Sequence, residues 1–152
     1  MKRRLFWSLL LLMITQTLCA QVTVLKGSTI ICNEVGFVSE SIITFNGPQK
    51  TLEITVYKFP KRYIPGEGFE FDIAQWRLSI VQALDRQYED DSLSDIYICE
   101  DVYTKRRSTA VEFKYFKTNR IDVIVHSYNP VGTYGRFYLE PVCTIRDVDK
   151  IN

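Results

Sequence analysis

Apolar and polar residues alternate with period two over Thr51-Leu52-Glu53-Ile54-Thr55-Val56-Tyr57, placing Leu52, Ile54 and Val56 on one face of a strand and Glu53, Thr55 and Tyr57 on the other. Ser41-Ile42-Ile43-Thr44-Phe45 precedes it, separated by the turn-forming run Asn46-Gly47-Pro48-Gln49-Lys50. That spacing predicts a β-hairpin. Two shorter β-prone pieces, Val22 to Lys26 and Ser28 to Cys32, come before it.

Residues 59–68 contain two prolines and two glycines, which argues against regular structure there, and beyond them the pattern suggests a helix. Asp72 is placed to cap free amides, Gln75 stands three residues later as in a capping box, and Phe71 can staple against Trp76. Ile73, Trp76, Ile80 and Leu84 then form one stripe, widened by Val81 and Ala83, while Gln75, Arg77, Gln82, Asp85 and Arg86 are polar. These signals predict one main helix over about 72–89. It ends where Glu89-Asp90-Asp91-Ser92 oppose the helix dipole.

The last third reads as strands: Asp95 to Tyr103, Thr109 to Phe116, Arg120 to Tyr128 and Arg136 to Arg146, all rich in β-branched and aromatic residues. Short links between them imply an antiparallel meander. A three-residue loop, Lys117-Thr118-Asn119 with Asn119 left-handed, brings the apolar sets Val111/Phe113/Tyr115 and Ile121/Val123/Val125 to one face. It pairs Val111 with Val125, Phe113 with Val123 and Tyr115 with Ile121, and sets Lys114 against Asp122 and Ala110 against His126. The expected fold is therefore α+β, with an N-terminal β-hairpin region and the helix packed on a four-stranded antiparallel sheet. In outline the helix-then-four-strands order is similar to the cystatin and monellin arrangement over the last half of the chain. No Gln-Xaa-Val-Xaa-Gly stands in a matching hairpin, so no inhibitor residue carries over.

The N-terminus changes where this domain is expected to work. Lys2-Arg3-Arg4 leads an apolar run from Leu5 to Ile14, broken only by Ser8, and Leu18-Cys19-Ala20 follows. The run is shorter than the roughly 20 residues that span a bilayer. Residues 1–20 therefore read as a signal peptide cleaved after Ala20, leaving 21–152 as a single secreted or periplasmic domain with no transmembrane segment. Removing three basic residues turns 19 basic against 18 acidic into 16 against 18, and a net charge of −2 implies no nucleic-acid partner.

Candidate chemistry is sparse. Cys32, Cys99 and Cys143 remain after cleavage, too far apart in sequence for a zinc or redox CxxC motif. Either one disulfide forms among them or all three are buried thiols. The single histidine, His126, could pair with Cys99 or Cys143 as nucleophile, with Asp122 orienting the ring. Glu89, Asp90, Asp91, Asp95, Glu100 and Asp101 form an acidic stretch without the glycine of a calcium loop, and no cofactor or metal is expected. Lys105, Arg106 and Arg107 mark a basic hairpin tip. Tyr128, Tyr134 and Tyr138 flank the loop 129–133, and these six residues are the candidate partner contacts. The expected function is an exported, non-catalytic binding protein engaging a protein or glycan, an inhibitor or immunity-type protein being one version. The alternatives are a small exported hydrolase using carboxylates or a Cys-His pair, and a structural subunit of an envelope assembly.

Overall fold

The computed structural model describes residues 21–131 and 136–151. Among them there is no helix. Ten strands follow one another: β1 Val22–Cys32, β2 Val35–Asn46, β3 Thr51–Ile64, β4 Gly68–Ala83, β5 Gln87–Tyr88, β6 Ser92–Asp101, β7 Thr109–Phe116, β8 Ile121–Val131, β9 Arg136–Arg146 and β10 Asp149–Lys150. They pair antiparallel in the order β10-β1-β2-β3-β4-β6-β7-β8-β9, and β1 also pairs with β9, setting Ile30 opposite Ile145. That ladder closes the eight long strands into a barrel. The short β5 pairs with the start of β6, and β10 resumes the line of β9 along β1.

The α+β arrangement, with a main helix over 72–89 on a four-stranded sheet, is thus replaced by an all-β barrel, and the cystatin-like outline falls with it. Residues 68–83 are the longest strand. Their inward set is Ala74, Trp76, Leu78 and Ile80, which pack with the core, while Gln75 and Arg77 are exposed between them. The run Ala74-Gln75-Trp76-Arg77-Leu78-Ser79-Ile80 alternates without fault, so the strand signal competed with the helical one in the same residues. Pairing with β3 along Thr51 to Ile64 decides the contest, because it satisfies the backbone and buries Leu78 against Leu52 in one register. The supposed capping residues serve the sheet. Asp72 accepts a hydrogen bond from the Ile73 amide (2.8 Å) and faces Lys61 (3.7 Å) across the hairpin, and Gln75 donates to Thr55 Oγ1 (3.5 Å) on β3.

Elsewhere local chemistry and structure agree. Phe45 lies opposite Leu52 and Asn46 opposite Thr51, the hairpin expected from the turn-rich 46–50 segment. Asn119 is left-handed (φ 62°), and β7 and β8 pair Val111 with Val125, Phe113 with Val123, Tyr115 with Ile121, Lys114 with Asp122 and Ala110 with His126. All five pairs follow from the three-residue loop.

The barrel interior is filled by side chains: Ile30, Ile43, Leu52, Ile54, Val56, Leu78, Val111, Val123, Val125 and Ile145 are all nearly or fully buried. Glu53 and Arg77, pointing the other way, are exposed. Along this part of β3 and β4, apolar inside and polar outside is the reverse of the alternation a lipid-embedded barrel requires. Where β1 shifts register between Gly27 and Thr29, a Cβ on Gly27 would overlap the side chain of fully buried Ile145 and sit 3.3 Å from the Arg146 carbonyl. Gly27→Ala is therefore expected to cost about 1–3 kcal/mol through overpacking. A variant that melts at the wild-type temperature would show that the seam has room there.

Candidate functional site

β3 and β4 stay paired with each other beyond the points where they part from their outer neighbours. β2 pairs with β3 only as far as Ser41 opposite Val56, whereas the β3–β4 ladder continues from Phe59 opposite Asp72 to Ile64 opposite Gly68. On the other side β6 reaches β4 only at Leu78 to Ala83. Among the described residues, the hairpin from Phe59 to Asp72 therefore pairs along its length only with itself, as a two-stranded arm whose outer edges have no ladder partner. The arm ends in a turn in which the Glu67 amide donates to the Ile64 carbonyl (3.0 Å). Pro65 presets the first central position and Gly66, at φ 83°, supplies the left-handed second one. The prolines and glycines that spoke against regular structure thus build the tip of a hairpin. Its base is tied to β2 by the Lys58 amide, which donates to Ser39 Oγ (3.1 Å).

Aromatic side chains collect on this arm. Phe37 of β2 meets Phe69 (5.0 Å between centroids) and Phe71 (5.4 Å) edge to face, Tyr63 meets Phe69 (5.2 Å), and Phe59 meets Trp76 (5.9 Å). Lys58 Nζ lies 4.5 Å from the Phe71 ring centre. Between the arm, the β1–β2 turn and β9 is a cavity of about 540 Å³, lined by Phe37, Phe59, Tyr63, Phe69, Pro141 and Val142 among others, with Cys32 and Asn33 beside them. Tyr63 remains 61% exposed and Phe69 40%, so the cluster is an open surface rather than core. Lys61 and Arg62 are also in the lining, paired with Asp72 and Glu70 on the opposite strand. The arm's charge is therefore balanced locally. None of these aromatics was named from sequence as a partner contact, Phe71 and Trp76 being read as a helix staple; the available signal was the density of large rings beside the Pro/Gly punctuation, Phe59, Tyr63, Phe69 and Phe71 within thirteen residues.

The opposite end of the barrel holds a smaller cavity of about 320 Å³, walled by Leu25, Phe45, Tyr97, Phe113, Tyr115 and Ile121. Phe45, Tyr97 and Phe113 pack on one another at 5.6–6.3 Å, and burial pushes the Tyr97 and Tyr115 hydroxyls above the ordinary tyrosine range. This mouth is the open end of the packed interior.

The candidates named from sequence are dispersed. Tyr128 packs on Phe137 (5.8 Å) and, with Leu84 and Leu139, against Ile96, Ile98 and Ala110 outside the barrel. Tyr138 sits opposite Asn129, on the other face of the β8–β9 hairpin from Tyr128, and is 60% exposed. Tyr134 lies outside the described residues. Lys105, Arg106 and Arg107 are exposed, Lys105 left-handed at φ 59°, and Arg107 faces Glu100 at 3.5 Å. Asp101 organises their turn by accepting the Thr104 and Tyr103 amides (2.7 and 2.9 Å), and these bonds, that of Thr104 foremost, hold its carboxyl below the usual range. The basic turn does border the Tyr128 strand, since the Tyr128 amide donates to the Ser108 carbonyl (2.8 Å).

Cys99 and Cys143 lie in the barrel core, and burial pushes the Cys99 thiol up to about 12. His126 is on the outer face, 2.8 Å from Glu112, whose second oxygen accepts from Ser94 Oγ (2.6 Å). The sheet therefore stands between His126 and both core thiols, and no nucleophile–base contact is assembled. Asp122, expected to orient the ring, lies instead between Arg120 (3.2 Å) and Arg146 (3.5 Å). The acidic stretch is divided among cations: Glu89 pairs with Lys114 (2.8 Å) and Asp95 with Arg86 (2.7 and 2.8 Å). Among the described residues no three His, Cys, Asp or Glu side chains stand together as a metal site. Cys32, Cys99 and Cys143 are free, buried thiols, and Cys32 and Cys143 are neighbours at the ends of the β1–β9 ladder. Comparison of the chain with protein-family models, with curated proteins and with solved structures gives no match.

Proposed function

We propose that this is an exported, non-catalytic binding protein that docks a protein partner on the β3–β4 arm. The observation that carries the proposal is the exposed aromatic cluster of Tyr63 and Phe69 beside two strand edges with no pairing partner among the described residues. Large rings with an arginine at hand are the composition of interface hot spots. An open edge offers a row of amides and carbonyls that an extended polypeptide can match by strand addition, which favours a protein over a glycan. Locally balanced charge on the arm speaks against a polyanion. The leader read in residues 1–20 supports export.

The test is crosslinking and affinity capture with the mature chain, in the envelope fraction and medium of the native host, with variants run in parallel. Phe69→Ala and Tyr63→Ala are each expected to weaken capture of the same partner by about 30-fold, the effect of a hot-spot truncation near 2 kcal/mol. Tyr138→Ala, on the other hairpin, is expected to leave capture unchanged. Equal capture by Phe69→Ala and wild type would overturn the reading, as would saturable glycan binding with no protein captured.

A further inference from the structure

The barrel is closed by the shortest ladder among its eight long strands. Between β1 and β9 only Thr29 with Arg146, Ile30 with Ile145 and Ile31 with Thr144 are paired. One step further along the same register stand Cys32 and Cys143. Opposed residues of an antiparallel ladder have Cα atoms about 4.5–5.5 Å apart, inside the roughly 4.4–6.8 Å range that a disulfide accepts. Cys99 is elsewhere in the core, in register with Ile80 on one side and Thr109 on the other.

We propose that Cys32 and Cys143 form a disulfide that fastens the barrel seam, made by exchange with a small disulfide oxidant of the glutathione-disulfide class, and that Cys99 stays a free thiol. The place of this reaction in the cell rests on the export reading above; the pairing itself rests on the register. Cys32 is 7% exposed and lines the 540 Å³ cavity, the side from which an oxidant approaches, whereas Cys143 is 1% exposed and does not line it. Cys32, on the cavity side, is therefore the attacking sulfur, and its neighbour Cys143 holds its thiol below the ordinary cysteine range. Cys32 loses its proton to solvent and its thiolate attacks one sulfur of the oxidant, forming a mixed disulfide and expelling one glutathione thiolate, which takes up a proton. Cys143 then loses its proton to solvent and attacks the Cys32 sulfur. The second glutathione leaves and is protonated in turn. Two protein thiols are oxidised and one glutathione disulfide is reduced to two glutathiones.

The bond joins residues 32 and 143 and so encloses β2 to β8 in one covalent loop. A loop of about 100 residues removes enough freedom from the unfolded chain to raise Tm by about 10 °C in a domain of this size. The test starts from the purified mature chain, reduced, equilibrated in a glutathione redox buffer, quenched by alkylation and mapped by peptide mass spectrometry. A Cys32–Cys143 crosslinked peptide with alkylated Cys99, and a Tm about 10 °C above that of the dithiothreitol-treated protein, are expected. Cys99→Ser should keep this shift, and Cys143→Ser should abolish it. Three alkylated cysteines, a bond containing Cys99, or a disulfide between two chains would overturn the proposal, and this readout on the unmodified chain does not depend on any variant folding. The same mapping on protein from the native host separates the two claims. A bond that forms in the buffer but is absent there would overturn export and uphold the pairing.

Discussion

Leu78→Ala is expected to lower unfolding stability by about 3–4 kcal/mol, whereas Ile73→Ala should change it by less than about 0.5 kcal/mol. Leu78 is 1% exposed and lies between β3 and β6, opposite Leu52 and Asp101, so truncation removes buried methyl groups and leaves a cavity that the closed barrel can only partly collapse. Ile73 is 58% exposed, near the base of the arm. The pair of variants also separates strand from helix. A helix over 72–89 puts Ile73 on the buried stripe and Leu78 on the opposite side, and would reverse the two effects. Urea unfolding monitored through Trp76 supplies both numbers. Equal losses, or a larger loss at Ile73, would refute the placement of β4.

His126→Ala should be nearly as costly, about 3 kcal/mol at neutral pH, for a different reason. It leaves Glu112, 14% exposed in its side chain, with Ser94 as its remaining close hydrogen-bond partner and without the ring nitrogen 2.8 Å away. The hydrogen bond with His126 is the largest influence holding the Glu112 carboxyl below the ordinary glutamate range, ahead of opposing burial and of the Ser94 hydroxyl. A carboxyl with a depressed folded pKa stabilises the protein above its unfolded value, near 4.3, and loses that contribution as pH falls through the folded value. Wild type should therefore lose stability on acidification below about pH 5, and His126→Ala should lose less of it over the same interval. Asp122, whose carboxyl is raised by burial against the pull of Arg120 and Arg146, has the opposite sign: its contribution is present at low pH and fades as pH rises through its folded value. Asp122 is common to both proteins, so the difference between their stability–pH curves reports Glu112. Parallel curves would mean that His126 does not set the Glu112 carboxyl.

Most of the site was illegible in the sequence for a specific reason. Residues 59–68 contain Pro60, Pro65, Gly66 and Gly68, which read as an interruption. In the structure Pro60 and Pro65 occupy a strand free of β2 and a turn, where the missing amides cost little, and the glycines accept φ near 83° and 93° at the tip. Punctuation that marks a loop and punctuation that marks a long hairpin arm look alike until the partner strand is known. The sequence candidates Tyr128 and Tyr138 were separated by the ordinary alternation of a strand pair, Tyr128 opposite Leu139 and Tyr138 opposite Asn129. Their spacing across a loop could show proximity but not which face each ring takes.

Local period and turn chemistry were sufficient for the hairpin joining β2 to β3 and for the register of β7 on β8. Both depend on residues close in sequence: the turn at 46–50, and a left-handed Asn119 that brings the apolar sets to one face. Residues 72–83 carry two periods at once, and only the neighbouring β3 chose between them. Closure belongs wholly to the tertiary structure. An open sheet and a barrel need the same inward and outward alternation, and what joins β1 to β9 is the stagger accumulated over eight ladders, which brings together residues more than a hundred positions apart. The nearness of Cys32 to Cys143 follows from that closure, and the arm is left without ladder partners because β2 parts from β3 beyond Ser41 and β6 ends opposite Leu78.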